Sequence, residues 1–207
     1  MSAAIASPWK DQAARDAERS DKRDAVLRVA AQSFCEKGVR ATSLDDIAER
    51  LSITKPTLYH YFRSKDDILA ECVLRGLAMI EEAIAAPALR DVDGLERLKV
   101  ALRSYAEVMT MDFGMCVTRI AEPDLSTTGR KAFRAHKRQI DQRIRGLVED
   151  GIRDGTVRPC DVRIATFTLT GALNWIARWY EPGGDLSASE IADKVVATLV
   201  EGIAARR

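Results

Sequence analysis

The stretch Thr42-Ser-Leu-Asp-Asp-Ile-Ala-Glu-Arg-Leu51, followed by Ser52-Ile-Thr54-Lys-Pro-Thr-Leu-Tyr-His-Tyr-Phe62, decides the fold. Ser43 and Asp46 stand three apart, the spacing of a capping box, in which hydroxyl and carboxylate each satisfy a free amide of the first helical turn. Leu44, Ile47, Ala48 and Leu51 follow at helical spacing, so a short helix starts at Thr42 or Ser43 and buries that face. A second short helix starts near Thr54. Pro56 is tolerated there because first-turn amides have no acceptor within the helix. Leu58 and Phe62, four apart, form its inward side. Two such helices joined by a tight turn have the lengths of a helix-turn-helix. The outward groups, Thr54, Lys55, Thr57, Tyr59 and His60, are hydroxyls, a cation, a phenol and an imidazole, which suit phosphate oxygens and base edges.

The helical period continues outward in both directions, with no strand-like alternation and no internal repeat to compete with it. A first helix is expected over 21–37, with Leu27, Ala30, Ala31 and Phe34 on one face and Gly38 as its stop. Ser64 caps a fourth, since Asp67 sits three residues on and Ile68, Leu69, Cys72 and Val73 follow; it ends near Ala85, before Pro87. Further helices are expected at about 94–111, 113–121, 127–154, 161–181 and 188–205, the last opened by a second capping box, Ser187 with Glu190. The chain is therefore all-α with about nine helices. Residues 1–20 form a flexible arm, 21–65 a small helix-turn-helix unit, and 66–207 a larger unit reached through the fourth helix.

The 207 residues, 46% hydrophobic and 30% charged, are enough for a real core. The net charge of +1 is unevenly placed: residues 20–65 carry nine Lys/Arg against six Asp/Glu, and residues 66–207 carry twenty against twenty-two. Only the helix-turn-helix region leans basic. No secretory apolar stretch opens the chain and no apolar run approaches a membrane span, so a cytoplasmic protein without membrane contact is expected. Cys35, Cys72, Cys116 and Cys160 show no CxxC spacing and read as buried free thiols; a regulator triggered by oxidation of Cys116 or Cys72 is the alternative. His60 and His136 are the two histidines, and no nucleophile-and-base arrangement, phosphate-cradling glycine loop or metal cluster accompanies them. No cofactor and no enzymatic activity are expected; a helical enzyme acting on acyl thioesters, the remaining alternative, lacks a nucleophile and base.

Three segments taken together resemble the tetracycline-repressor family: Thr42-Ser-Leu-Asp-Asp-Ile47-Ala48, then Ile53-Thr54-Lys55-Pro56-Thr57-Leu58-Tyr59-His60-Tyr61-Phe62, then Ser64-Lys65-Asp-Asp-Ile-Leu69. The resemblance implies a homodimer in which each N-terminal unit holds one half of a palindromic operator in double-stranded DNA. It further implies that a small-molecule effector bound in the larger unit releases the repressor. By position, Thr42 and Ser43 are implied to meet phosphate, as is Lys65, while Thr54, Lys55, Pro56, Thr57, Tyr59, His60 and Tyr61 line the groove. Ser52 and Pro56 stand where the family often has glycine.

The last two helices carry wide apolar stripes: Ile164, Phe167, Gly171, Ala172, Trp175 and Trp179 on one, Ile191, Val195, Val196, Leu199, Val200 and Ile203 on the other. A two-fold four-helix bundle would bury them, with dimer contacts at Phe167, Gly171, Trp175, Val195, Leu199 and Ile203. The segment Arg178-Trp-Tyr-Glu-Pro-Gly-Gly-Asp-Leu-Ser187 resembles a motif of family members that control fatty-acid and steroid catabolism, several of which answer to acyl-CoA thioesters. That resemblance implies an acyl-CoA or lipid-like effector. Met79, Met109, Phe113, Met115 and Phe133 are expected to shape its apolar pocket, with Asn174 and Arg178 as polar contacts. The basic run from Arg130 to Arg145 reads either as a solvated face or as a site for the effector's phosphates.

Overall fold

A computed structural model describes residues 12–85 and 92–201. Among these there are nine α-helices and no strand: α1 Gln12–Lys37, α2 Leu44–Arg50, α3 Lys55–Tyr59, α4 Lys65–Ala85, α5 Gly94–Val108, α6 Asp112–Arg119, α7 Thr127–Arg153, α8 Val162–Trp179 and α9 Ala188–Glu201. A single 3₁₀ turn, Glu122–Asp124, precedes α7. None of these helices is long and apolar enough to cross a membrane.

The small unit forms as its pattern predicts. Leu27, Ala30, Ala31, Phe34, Ile47, Leu58 and Phe62 are all buried. Gly38, with φ of 83°, ends α1 in the left-handed region, its amide donating to the Phe34 carbonyl at 3.0 Å. Ser52 takes a φ of 53° in the turn between α2 and α3, so it adopts the backbone that glycine would accept without strain. The first helix differs from expectation in starting nine residues early, so that residues 12–20 are helical. That segment has no apolar face to reveal it, and i,i+4 pairs such as Gln12 with Asp16 and Lys22 with Glu18 support it instead. The fifth helix ends at Val108, short of the expected 111, because the Met111 amide closes a turn on the Val108 carbonyl at 3.0 Å.

Helix α4 runs through the middle of the molecule and packs on α1, α5, α6 and α7. Its seam with α6 is tight: a Cβ added to Gly76 would lie 2.1 Å from the Phe113 carbonyl oxygen. Its seam with α1 is ionic. Arg75 donates to both carboxylate oxygens of Asp24, at 2.6 and 2.9 Å, and Arg23 makes the same two-pronged contact with Glu71. The two guanidinium groups also stack, Arg23 over Phe62 and Arg75 over Phe113. The small unit is thus fastened to the shaft that enters the larger one.

Candidate DNA-binding face and effector cavity

The capping box of α2 is present. The Ser43 hydroxyl accepts from the Asp46 amide at 3.0 Å, and the Asp46 carboxylate accepts from the Ser43 amide at 2.7 Å. The Ser43 hydroxyl also donates to the Asp46 carboxylate, and this bond with that from the Ser43 amide, Lys37 being nearby, holds the Asp46 pKa down to about 2. Thr42 is not on this face. Its side chain is 1% exposed, and its hydroxyl is directed at the carbonyls of Ser33 and Gly38, 3.0 and 2.9 Å away. That threonine closes the α1–α2 loop, and its expected phosphate contact is corrected accordingly.

Helix α3 presents the expected groups. Thr54 caps it, with its hydroxyl 2.8 Å from that of Thr57. Lys55, Pro56, Tyr59 and His60 are exposed, Thr57 and Tyr61 are half-buried, and Lys65 begins α4 half-buried. The Lys55 ammonium lies 2.9 Å from the Asp45 carboxylate, whose hydrogen bond raises its pKa. The main cation of α3 is therefore paired to α2 when no DNA is present.

A cavity of about 280 Å³ lies within the larger unit. Leu77 of α4, Tyr105 of α5, Val117 and Thr118 of α6, Lys137, Arg138, Ile140 and Asp141 of α7, and Phe167, Thr170 and Asn174 of α8 line it. The Tyr105 hydroxyl donates to the Asn174 side-chain oxygen at 2.9 Å. Burial pushes the Tyr105 pKa up, so the phenol stays neutral. With its oxygen so engaged, Asn174 has its NH₂ left to donate to a guest. Lys137 and Arg138 are exposed and contribute cations where the cavity meets solvent.

Of the expected ligand set, only Asn174 lines this cavity. Met109, Met115 and Phe133 are core, 0%, 6% and 6% exposed. Met79 and Phe113 instead line an open depression on the other side of α4, with Arg28, Arg75 and Met111. Arg178 is exposed and donates to the Thr118 carbonyl at 2.5 Å, tying α8 to the cavity wall rather than entering the cavity. Phe167, expected at the dimer contact, is exposed and also borders the cavity, with the guanidinium groups of Arg145 and Arg163 5.7 and 5.5 Å from its ring. Tyr105, Thr118 and Thr170 were not singled out in the sequence, where nothing but membership of an amphipathic helix marks them. The basic run on α7 divides: Arg134 pairs with Glu122 and Arg145 with Asp141, while Lys137 and Arg138 reach the cavity.

Outside the cavity, α8 and α9 share a shallow apolar groove of Gly171, Ala172, Trp175 and Trp179 with Val195, Thr198 and Leu199. Trp175 is 65% exposed. Ile191, Val196 and Val200 turn the other way, into the subunit core, and Ile203 lies outside the described residues.

Two family models match the chain: one described as bacterial regulatory proteins of the tetR family over residues 26–72, the other as the tetracyclin repressor-like C-terminal domain over residues 91–203. The chain belongs to the tetracycline-repressor family. As a tetracycline-repressor-type protein it is a ligand-responsive transcriptional repressor with a helix-turn-helix DNA-binding unit. It is 30% identical over 193 residues to the transcriptional repressor KstR2 of Rhodococcus jostii, covering 90% of this chain and 93% of that protein. The solved structure of the ketosteroid transcriptional regulator KstR2 of Mycobacterium tuberculosis superposes with a TM-score of 0.78 at 26% identity, covering 89% of this chain and 96% of that one. AibR, solved with isovaleryl coenzyme A and operator DNA, gives 0.73 at 26% identity, covering 85% and 96%.

Proposed function

We propose that this tetracycline-repressor-type protein works in the cytoplasm as a homodimer on a two-fold operator, and that an acyl-CoA thioester entering the cavity of the larger unit releases it. The carrying observation is the cavity itself, apolar at Leu77, Val117 and Ile140, with the Asn174 amide within and the cations Lys137 and Arg138 beside solvent. A short acyl group suits the interior, its thioester carbonyl accepting from the Asn174 NH₂. The phosphates of the CoA portion extend to Lys137 and Arg138. The likeness to AibR, whose structure holds isovaleryl coenzyme A, supports that class of effector. Turnover is not part of the reading: the Tyr105 phenol is neutral, Asn174 is an amide, and the one carboxylate of the lining, Asp141, is paired with Arg145.

A thermal-shift series tests the effector class, since a ligand that binds only the folded state raises the Tm by mass action. Isovaleryl-CoA and a set of longer acyl-CoAs are expected to raise it, whereas the matching free acids do not. The rise should fall for Asn174→Leu and for Lys137→Ala with Arg138→Ala. A flat response to every CoA thioester would remove this effector class.

The groove of α8 and α9 supports the dimer. Trp175, with two-thirds of its surface exposed in one subunit, gains about 2 kcal/mol or more when buried against a second copy. Trp175→Arg is therefore expected to shift the protein from dimer to monomer in light scattering at micromolar concentration. Operator binding should fall with it; a Trp175→Arg protein that stays dimeric would place the interface elsewhere.

A further inference from the structure

Three cysteines meet where the DNA-binding unit joins the larger one: Cys35 on α1, Cys72 on α4 and Cys116 on α6. They are not equivalent. Cys72 is buried, its thiol donates to the Leu27 carbonyl at 3.4 Å, and burial raises its pKa well above the usual value. Cys35 and Cys116 instead face each other, with their sulfurs 3.6 Å apart. Cys116 is fully buried, whereas Cys35 is half-buried. The contact with Cys116, whose thiol also lies 3.8 Å from the Ala31 carbonyl, lowers the Cys35 pKa against the opposing effect of burial. Arg119 adds to the lowering, while Asp112 and Glu36 work against it. The same contact, with burial, pushes Cys116 far the other way, so it remains a thiol.

We infer that Cys35 and Cys116 form an oxidation site at which a hydroperoxide closes a disulfide between α1 and α6, weakening operator binding. The division of labour follows from access and charge. The Cys35 thiolate attacks one oxygen of hydrogen peroxide; the S–O bond forms as the O–O bond breaks, and the departing hydroxide takes up the proton that Cys35 gave up on ionising and leaves as water. The Cys116 sulfur then attacks the sulfenic sulfur of Cys35; the S–S bond forms, the S–O bond breaks, and the departing hydroxide takes the Cys116 proton and leaves as water. Two thiols lose two electrons, and one peroxide becomes two waters. Cys72, the other thiol at this junction, faces the Leu27 carbonyl rather than a second sulfur and takes no part.

The bond would matter because of what it joins. A disulfide needs its sulfurs about 2.05 Å apart, so closure draws α1 and α6 together by up to about 1.5 Å unless rotamers absorb all of it. Helix α1 carries α2 and α3, and the neighbours of Cys116, Val117 and Thr118, line the effector cavity. A small shift at such a packed junction is passed on as a change in how the two recognition helices are presented. This inference does not depend on the acyl-CoA reading, because its readouts use no effector.

The test treats the protein with hydrogen peroxide and maps its thiols by mass spectrometry under denaturing, non-reducing conditions. Expected are a loss of two mass units, one linked peptide pair containing Cys35 and Cys116, and operator affinity at least about five-fold weaker, restored by dithiothreitol. In Cys116→Ala, dimedone should trap a sulfenic acid at Cys35; in Cys35→Ser, Cys116 should stay unmodified. Mapping in the unsubstituted protein stands even if a variant folds poorly. First reaction at Cys160, linkage through Cys72, or a Cys35–Cys116 disulfide that leaves operator affinity unchanged would each overturn the inference.

Discussion

Gly76→Ala is expected to destabilise the protein by about 3 kcal/mol or more, one of the largest effects of any single methyl group added to this fold. The added Cβ would lie 2.1 Å from the Phe113 carbonyl oxygen, 2.7 Å from its carbon and 2.8 Å from a methyl of Val117. The first two are backbone atoms of α6 and cannot rotate away, so α4 and α6 must part along their shared seam. Parting them loosens Leu77 and Val117, which face the cavity from either side, and disturbs the stacking of Arg75 on Phe113. For a chain of this size the melting temperature should fall by about 6–12 °C. Gly146→Ala is the matched control. That glycine sits in α7 with nothing within 4 Å of an added Cβ, and alanine there should be neutral or stabilising by up to about 1 kcal/mol. Equal melting temperatures for the two variants would show that the α4–α6 seam has slack that the packing does not reveal.

That seam explains why some of this protein is legible in its sequence and some is not. The two capping boxes, Ser43 with Asp46 and Ser187 with Glu190, are local devices, and their bonds are present as the spacing implies. The inward faces of α1 to α4 are equally local, since a single period fixes which side meets the core. The cavity is different in kind. It arises where five helices fail to fill a volume, and no period on any one of them says which buried residue borders the gap. Tyr105 lies on the apolar side of α5 and Met109 caps its C-terminal end four residues on, yet Tyr105 reaches the cavity and Met109 packs into solid core. Thr42 shows the converse. A polar side chain at the edge of a helix-turn-helix suggests a phosphate contact, whereas here the hydroxyl serves two carbonyls left over where α1 ends. The stripe on α8 is too wide to resolve by pattern: its Phe167 edge turns to the cavity rim, and its Trp175 edge lines the groove shared with α9.

Arg178 and α4 outline how the cavity reaches the DNA-binding unit. Arg178 binds the Thr118 carbonyl, and Arg119 donates to the Ala177 carbonyl at 2.6 Å, so α6 and α8 are laced together along the cavity wall. Helix α6 touches both α1 and α4, and α4 begins at Lys65 on the DNA-binding side. A guest that presses Val117 and Leu77 apart acts on the two helices that support the small unit. In a dimer that reads a two-fold operator, recognition helices about 34 Å apart would match successive turns of one DNA face, and small displacements of α4 would spoil that spacing. A coupling of about 1–3 kcal/mol, five- to 150-fold in affinity, is ordinary for such transitions.

Lys55→Ala should weaken operator binding by about ten-fold or more near physiological salt and flatten its salt dependence. In the free protein the Lys55 ammonium rests on Asp45, but both groups are exposed, and such a pair contributes little to stability. The pair instead holds the cation on the face that meets DNA, where phosphate oxygens can take the place of the carboxylate. If each subunit neutralises one phosphate through Lys55, the dimer loses two such contacts, and the slope of log affinity against log salt should shrink by about 1.8. Asp45→Asn makes the companion test. It removes the competing carboxylate while keeping Lys55, so affinity should rise a few-fold and the slope should stay at least as steep. The folded state should be unaffected by either change, since neither side chain is buried and the Ser43–Asp46 cap is untouched. A Lys55→Ala protein with undiminished affinity and slope would exclude Lys55 from the interface. A loss confined to one operator sequence, with the slope unchanged, would instead make Lys55 a reader of base edges.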